Sequence, residues 1–175
     1  MTTQATQYLK RINNLVITIA AVILLCAGMP SFAWAACVAT CAVTETTKLD
    51  FSTLQQPSSG SVTYTVAPDG TAASGTATVL YGTAVRGQYK ATRTGSTTGC
   101  TGTTYDVQSV SSGNAGVTLG TWKGRVTANA SLPMTLGTFP ATTGTTFFIG
   151  ATATITSSAT TGSFAPSYNV VCTIQ

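Results

Sequence analysis

Residues Thr145–Thr156 read TTFFIGATATIT, and this stretch decides the fold class. Apolar residues occupy every second position from Phe147 to Ile155, and glycine or threonine fills most positions between them. Such alternation has the period of a β-strand with one buried and one polar face. β-Branched residues such as threonine also favour strands over helices. The stretch therefore predicts a β-strand that buries one face in the core and presents threonines on the other.

Shorter segments on both sides show the same alternation. The clearest are residues 61–67 and 167–175, and Pro68-Asp69-Gly70 forms a predicted turn because proline fixes φ and glycine accepts positive φ. No useful length of residues 36–175 has helical periodicity. About eight to ten strands with frequent turn signals predict an all-β fold, one antiparallel immunoglobulin-like or pilin-like β-sandwich. The other predicted strands are residues 76–81, 84–92, 104–110, 116–119, 122–128 and 132–139.

The N-terminal residues have the order of a secretory signal peptide. Lys10 and Arg11 precede the apolar run 15–27, and Ala33-Trp34-Ala35 follows it. A retained membrane helix is the alternative, but it needs about 20 unbroken apolar residues, and Pro30 interrupts this segment. We therefore expect cleavage after Ala35. Residues 36–175 then form a single secreted domain, extracellular or on the cell surface, with no stable membrane span.

The charge content excludes several classes of function. Charged residues make up 7% of the chain and histidine is absent, whereas about 25% of an average domain is charged. The usual general base and metal ligand is therefore missing, and the cations are too few for nucleic-acid binding. No motif brings two of the four acidic residues together for hydrolysis. We predict a non-enzymatic protein with no catalytic, cofactor or metal site.

Four cysteines remain after the signal peptide, namely Cys37, Cys41, Cys100 and Cys172. An even number in an exported chain predicts two disulfides, and sequence alone cannot choose among the three pairings. We expect one bond from the N-terminal segment to Cys172 and a second to the loop that holds Cys100. A zinc site is the alternative, but only Cys37 and Cys41 have loosely suitable spacing and no histidine supports them.

Two segments of the chain resemble a known family. Residues 49–75 (LDFSTLQQPSSGSVTYTVAPDGTAASG) and 147–175 (FFIGATATITSSATTGSFAPSYNVVCTIQ) are similar to the opening and closing segments of secreted bacterial β-sandwich domains of unknown function. Those domains begin with a Leu-x-Phe-Gly motif, and Ser52 stands here in place of the glycine. The resemblance carries no catalytic motif. More distantly, the plan resembles pilin-like and spore-coat-U-like subunits.

The pilin-like resemblance implies an exported structural or adhesive protein, such as a fimbrial subunit. Its partners would be copies of itself or related subunits in a filament, joined by strand addition. Here the candidate donor is residues 36–47, with Cys37, Ala39, Cys41 and Val43 on the inward face. Disulfides within the same domain would prevent such donation, whereas disulfides between subunits would permit it.

The alternative function is a secreted module that binds glycans or another surface partner. Threonine rows could form a flat array facing a polysaccharide or ice, although strand propensity on a solvent face also explains them. Aromatic rings could stack on sugars in a lectin-like cleft, although core and interface packing is the interpretation we favour. A small basic group could bind an anionic partner, but we expect a solvated face. The threonines are Thr152, Thr154 and Thr156, and the basic group is Arg86, Lys90 and Arg93. The aromatic residues are Tyr81, Tyr89, Tyr105, Trp122 and Tyr168.

Overall fold

The structure, a computed structural model, describes residues 36–160 and 166–175. The predicted signal peptide, residues 1–35, lies outside the described residues. The described part contains twelve strands and no helix, which confirms the all-β prediction. The strands are β1 (Thr40–Thr47), β2 (Thr53–Leu54), β3 (Ser61–Val66), β4 (Ser74–Gly75), β5 (Val79–Tyr81), β6 (Gly87–Thr94), β7 (Thr103–Ser111), β8 (Val117–Arg125), β9 (Asn129–Ser131), β10 (Met134–Leu136), β11 (Thr145–Thr156) and β12 (Ser167–Ile174).

Strand β11 is the centre of a seven-stranded antiparallel sheet. Its first half pairs with β6, and its second half pairs with β3 along the same edge. Strand β8 runs along the opposite edge and pairs with β9. Strand β1 lies beside β6, and β4 lies beside β3. The sequence predicted the bounds of β11 correctly because its alternation continues over all twelve residues.

A second antiparallel sheet, β10-β7-β12, packs against the inner face of the first. The Tyr105 ring of the small sheet lies 4.6 Å from the Phe147 ring of the large sheet, centroid to centroid. The other members of this buried cluster are Tyr89, Ala91, Met134 and Ile149. The two packed layers confirm the predicted sandwich, and a two-stranded sheet, β2-β5, accompanies them.

The predicted alternation holds along the longest strand. Every second residue of β11 from Phe147 to Ile155 is at most 4% exposed, and Thr152, Thr154 and Thr156 lie on the other face. Burial of these apolar side chains, worth about 1.5–3 kcal/mol for each large one, drives the packing of the sheets.

The structure differs from the sequence prediction at β8. Residues 116–119 and 122–128 were expected as two strands, but Val117–Arg125 is continuous. Thr121 has a positive φ of 48°, and the register with β11 shifts opposite it. This bulge reverses the side-chain parity, so that Leu119 and Trp122 both pack in the interior. The structure nevertheless has more strands than the eight to ten predicted, because several of its twelve strands are very short.

Candidate functional site

The N-terminal segment is held within its own chain. Strand β1 pairs with β6 along its whole length, from Thr40 opposite Thr94 to Thr47 opposite Gln88. Disulfides join Cys37 to Cys100 and Cys41 to Cys172, with Cα atoms 4.7 Å and 5.6 Å apart. The two expected disulfides are thus present, and the structure supplies the pairing that the sequence left open. They indicate an oxidising environment, periplasmic or extracellular.

This arrangement bears directly on strand donation by residues 36–47. Cys37, Ala39, Cys41 and Val43 face inward as expected, and Ala39 is 8% exposed. The backbone of β1 is already hydrogen-bonded to β6, however, and both cysteines are bonded to cysteines of the same chain. The segment is a fixed part of its own sandwich and is not available as a free donor.

In the half of the sandwich that contains β6, both lateral edges are closed. On one side the Cys41–Cys172 bond ties edge strand β1 of the large sheet to edge strand β12 of the small sheet. On the other side the backbone passes directly from β9 in the large sheet to β10 in the small sheet, and the Leu132 N–H donates to the Trp122 carbonyl oxygen at 3.0 Å. Covered edges resist pairing with other chains.

A partly buried hydrogen-bond network reinforces the disulfide side. The Tyr89 hydroxyl donates to Glu45 Oε2 at 2.9 Å and is hydrogen-bonded to the Tyr168 hydroxyl at 2.7 Å. The Tyr168 oxygen accepts the Leu49 N–H at 2.8 Å. Burial, followed by the contacts with Tyr168 and Glu45, raises the pKa of Tyr89 far above its ordinary value. The Tyr89 hydroxyl therefore stays protonated, and its hydrogen bonds join β1, β6 and β12.

The aromatic residues considered for sugar binding are mostly interior. Tyr89 and Tyr105 are 3% and 2% exposed. The Trp122 and Tyr168 rings pack on each other with centroids 5.2 Å apart, and both contact the buried clusters. Core packing accounts for these four side chains. Tyr81 is the exception, because 80% of its surface is exposed.

The arginines of the small basic group donate hydrogen bonds to loops and do not simply lie on a solvated face. Arg86 Nη1 donates to the Pro68 carbonyl oxygen at 2.9 Å, and its guanidinium lies 3.7 Å from the centroid of the Phe148 ring. Arg93 donates from Nε to the Pro140 carbonyl oxygen and from Nη1 to the Gly95 carbonyl oxygen. Lys90 is exposed on the outer face of β6. The three cations do not form a common binding patch.

The threonine rows exist on the outer face of the large sheet. Thr152 and Thr154 of β11 lie opposite Thr65 and Thr63 of β3, and Thr156 lies opposite Ser61. The hydroxyls of Thr65 and Thr152 are 2.8 Å apart and hydrogen-bonded to each other. The rows therefore combine cross-strand hydrogen bonds with a polar surface, as threonine pairs do in other sheets.

One apolar strand edge is left open in the described part of the chain. Strand β5 pairs only with the two residues of β2, and its three residues are exposed: Val79 by 39%, Leu80 by 60% and Tyr81 by 80%. The nearby Val85 is 40% exposed, and no charge occurs from Gly70 to Val85. We call this strand, with Val85, the β5 edge. The sequence predicted an ordinary strand at 76–81, because alternation does not show which edge has a partner.

Neither a metal-site cluster nor a membrane-spanning helix occurs in the described ranges. Within residues 36–160 and 166–175, no three histidine, cysteine, aspartate or glutamate side chains gather as a metal site would require. No helix in those ranges is long and apolar enough to cross a bilayer. Comparisons of the chain with models of protein families, with curated proteins and with solved structures gave no match.

Proposed function

We propose that this protein is a non-enzymatic structural or adhesive subunit, exported to the cell surface, that associates with a second copy of itself through the β5 edge. The observation that carries the proposal is the contrast between its edges. A disulfide and a backbone crossing close the two sides of the β6-containing half. Strand β5, in contrast, exposes three consecutive apolar side chains, and the segment from Gly70 to Val85 carries no charge.

The physical basis is the behaviour of open strands. An exposed apolar edge strand without charge or proline is a template for pairing with another chain, which natural proteins usually block. Strand β1 shows such protection, because Glu45 points inward to Tyr89 and the pairing with β6 shifts between Glu45 and Thr47. Strand β5 has a register shift in its pairing with β2, between Thr53 and Leu54, but it has no inward-pointing charge. Pairing there would join backbone groups and bury the exposed side chains of both copies.

The test is the oligomeric state of the secreted protein by sedimentation velocity over a wide range of concentration. We expect concentration-dependent association of the wild type. Leu80→Lys should weaken it by about ten- to hundredfold, because burial of a leucine contributes about 1.5–3 kcal/mol. Val38→Lys is the matched control, since Val38 is 64% exposed, much as Leu80 is, but lies just before β1.

Two results would contradict the proposal. One is a wild-type protein that remains monomeric at the highest concentration. The other is equal association of the wild type and Leu80→Lys. Electron microscopy of the associated material adds the geometry: pairing of β5 with β5 closes a two-fold dimer, whereas pairing with a different strand of the next copy extends a filament.

Export is tested separately by intact-mass analysis of the native protein. We expect a chain that begins at Ala36 and carries no free thiol. Reduction should add the mass of two hydrogens for each of the two disulfides. A native form that keeps residues 1–35, or that has reduced cysteines, would contradict export to an oxidising compartment.

A further inference from the structure

A cleft lies on the outer face of the large sheet, at the point where the pairing of β11 with β6 ends and its pairing with β3 begins. The Pro68-Asp69-Gly70 turn lines one part of it, and Thr121 and Lys123 of β8 line another. Gly150 lies in between, and a Cβ there would collide with the Val66 carbonyl oxygen. We call this depression the Asp69 cleft. Its volume of about 400 Å³ falls within the range of roughly 300–1,000 Å³ typical of small-ligand sites.

The carboxylate in the cleft is held in a fixed orientation. Asp69 Oδ1 accepts the N–H and the hydroxyl of Thr71 at 2.9 and 2.7 Å, and Oδ2 accepts from Asn129 Nδ2 at 2.8 Å. The Thr71 bonds, followed by the Asn129 bond, lower the pKa of Asp69 to about 2. The group is therefore an ionised, preoriented acceptor, and the turn glycine has the positive φ of 82° that the sequence predicted.

Hydrogen-bonding capacity in the cleft remains unused. Lys123 and the Thr121 hydroxyl have no side-chain hydrogen bond or ion pair with the residues that the structure describes. The paired hydroxyls of Thr65 and Thr152 also line the cleft, and each retains a further lone pair. A carboxylate, an amide, several hydroxyls and an ammonium group thus converge on one small volume, which suits a ligand with many hydroxyls.

The charge around the cleft is positive. Arg86 donates to the Pro68 carbonyl oxygen and Arg125 to the Asp69 carbonyl oxygen, so both guanidinium groups adjoin the turn that lines the cleft. With Lys123, three of the six basic residues in 36–175 gather around Asp69. A positive surrounding favours a ligand that carries a negative group.

We propose that the Asp69 cleft binds a saccharide with an anionic substituent. Asp69, Asn129 and the threonine hydroxyls contact the sugar hydroxyls, and Lys123 contacts the anionic group. This site is independent of the β5 edge. Failure of either proposal leaves the other intact, because association and saccharide binding are measured on different surfaces with different variants.

The experiment is calorimetric titration of the intact protein with three oligosaccharides of equal length: an oligogalacturonate, a sulfated galactan fragment and a neutral galactan fragment. Inorganic phosphate serves as a fourth ligand. We expect binding of at least one anionic oligosaccharide, weaker binding of the neutral one and a fall in affinity with added salt. Tighter binding of the carboxylated or the sulfated oligosaccharide identifies the anion.

Variants locate the site. Lys123→Met should weaken binding by about ten- to hundredfold, as expected for loss of a charge-assisted hydrogen bond. Thr152→Val keeps the side-chain shape and should weaken it several-fold, while Lys48→Met, an exposed lysine outside the cleft, should leave it unchanged. The proposal is overturned if no anionic oligosaccharide binds, if phosphate binds as well as the sugars, or if the two lysine variants lose affinity equally. Thermal unfolding verifies that each variant is folded.

Discussion

Removal of the Cys41–Cys172 bond gives the sharpest test of how the sandwich is held together. The bond joins residues 131 apart in sequence, but Cys37–Cys100 already shortens the unfolded chain. The shortest remaining route between Cys41 and Cys172 crosses that second bond and closes a loop of about 76 residues. In the chain-entropy treatment such a loop corresponds to about 4.5 kcal/mol of stability. We therefore expect the Cys41→Ala, Cys172→Ala double variant to lose a large part of a typical total of about 5–15 kcal/mol.

The matched control is Cys37→Ala with Cys100→Ala. That bond closes a loop of 63 residues, for which the same treatment gives about 4.3 kcal/mol. The entropic losses of the two double variants are thus nearly equal, and any difference between them reports contacts in the folded state. Cys41 and Cys172 pack against the buried cluster of Tyr89 and Phe147, whereas neither Cys37 nor Cys100 packs against any buried cluster in the described part of the chain. We expect loss of Cys41–Cys172 to cost more, by about 1 kcal/mol for the packing lost around the sulfurs.

The assay is guanidinium unfolding of the oxidised wild type and both double variants at equilibrium. The slope m should also increase in the variants, because an unfolded chain with one fewer cross-link exposes more surface. The reasoning is refuted if loss of Cys41–Cys172 costs less than loss of Cys37–Cys100. It is also refuted if m stays unchanged while stability falls by several kcal/mol.

Three further substitutions test particular contacts. Thr103 is fully buried and its hydroxyl has no hydrogen-bond partner in the described structure. Thr103→Val should therefore stabilise the fold by about 1 kcal/mol, measured by denaturant unfolding. The control is Thr104→Val, which loses the hydroxyl pair with Thr135 and should give no such gain. Asn114→Ala removes the three hydrogen bonds to Thr160 and should abolish hydrogen-exchange protection of the Thr160 amide, with a loss of about 1–2 kcal/mol. The pKa of Asp69 is about 2 in the folded state and 3.8 ordinarily. The ionised carboxylate therefore contributes to the stability of the fold above pH 4, and this contribution is lost as pH falls towards 2. The free energy of unfolding measured over this interval should decline less in Asp69→Asn than in the wild type.

The sequence predicted those parts of the fold that depend on local alternation. Strand β11 and the inward faces of β3 and β12 follow from every second residue being apolar, since a half-buried strand needs nothing else to be recognised. The prediction failed at Thr121, where one extra residue reverses the parity of β8. A bulge depends on the partner strand, so the pattern within β8 alone did not indicate it.

The candidate sites were less accessible to sequence reasoning, because both depend on contacts distant in sequence. Asp69 was explained by its turn, correctly, but nothing local showed that Arg125 and Asn129 reach this turn from β8 and β9. Likewise, the segment 76–81 alternates like a paired strand, yet its chain leaves β3 after Ala77 and pairs briefly with β2. Sheet neighbours, rather than periodicity, decide which edge stays open.

The position of the Cys41–Cys172 bond has a mechanical consequence. Tension applied between residues 36 and 175 would pass through this covalent link, so that only the short segments outside it, roughly 30 Å in all when fully extended, could lengthen. Without the link, the same pull could draw out roughly 250 Å of chain, because the Cys37–Cys100 bond leaves about 76 residues free to extend at about 3.3–3.6 Å per residue. The sandwich is therefore shielded from stretching and would transmit force at nearly constant length.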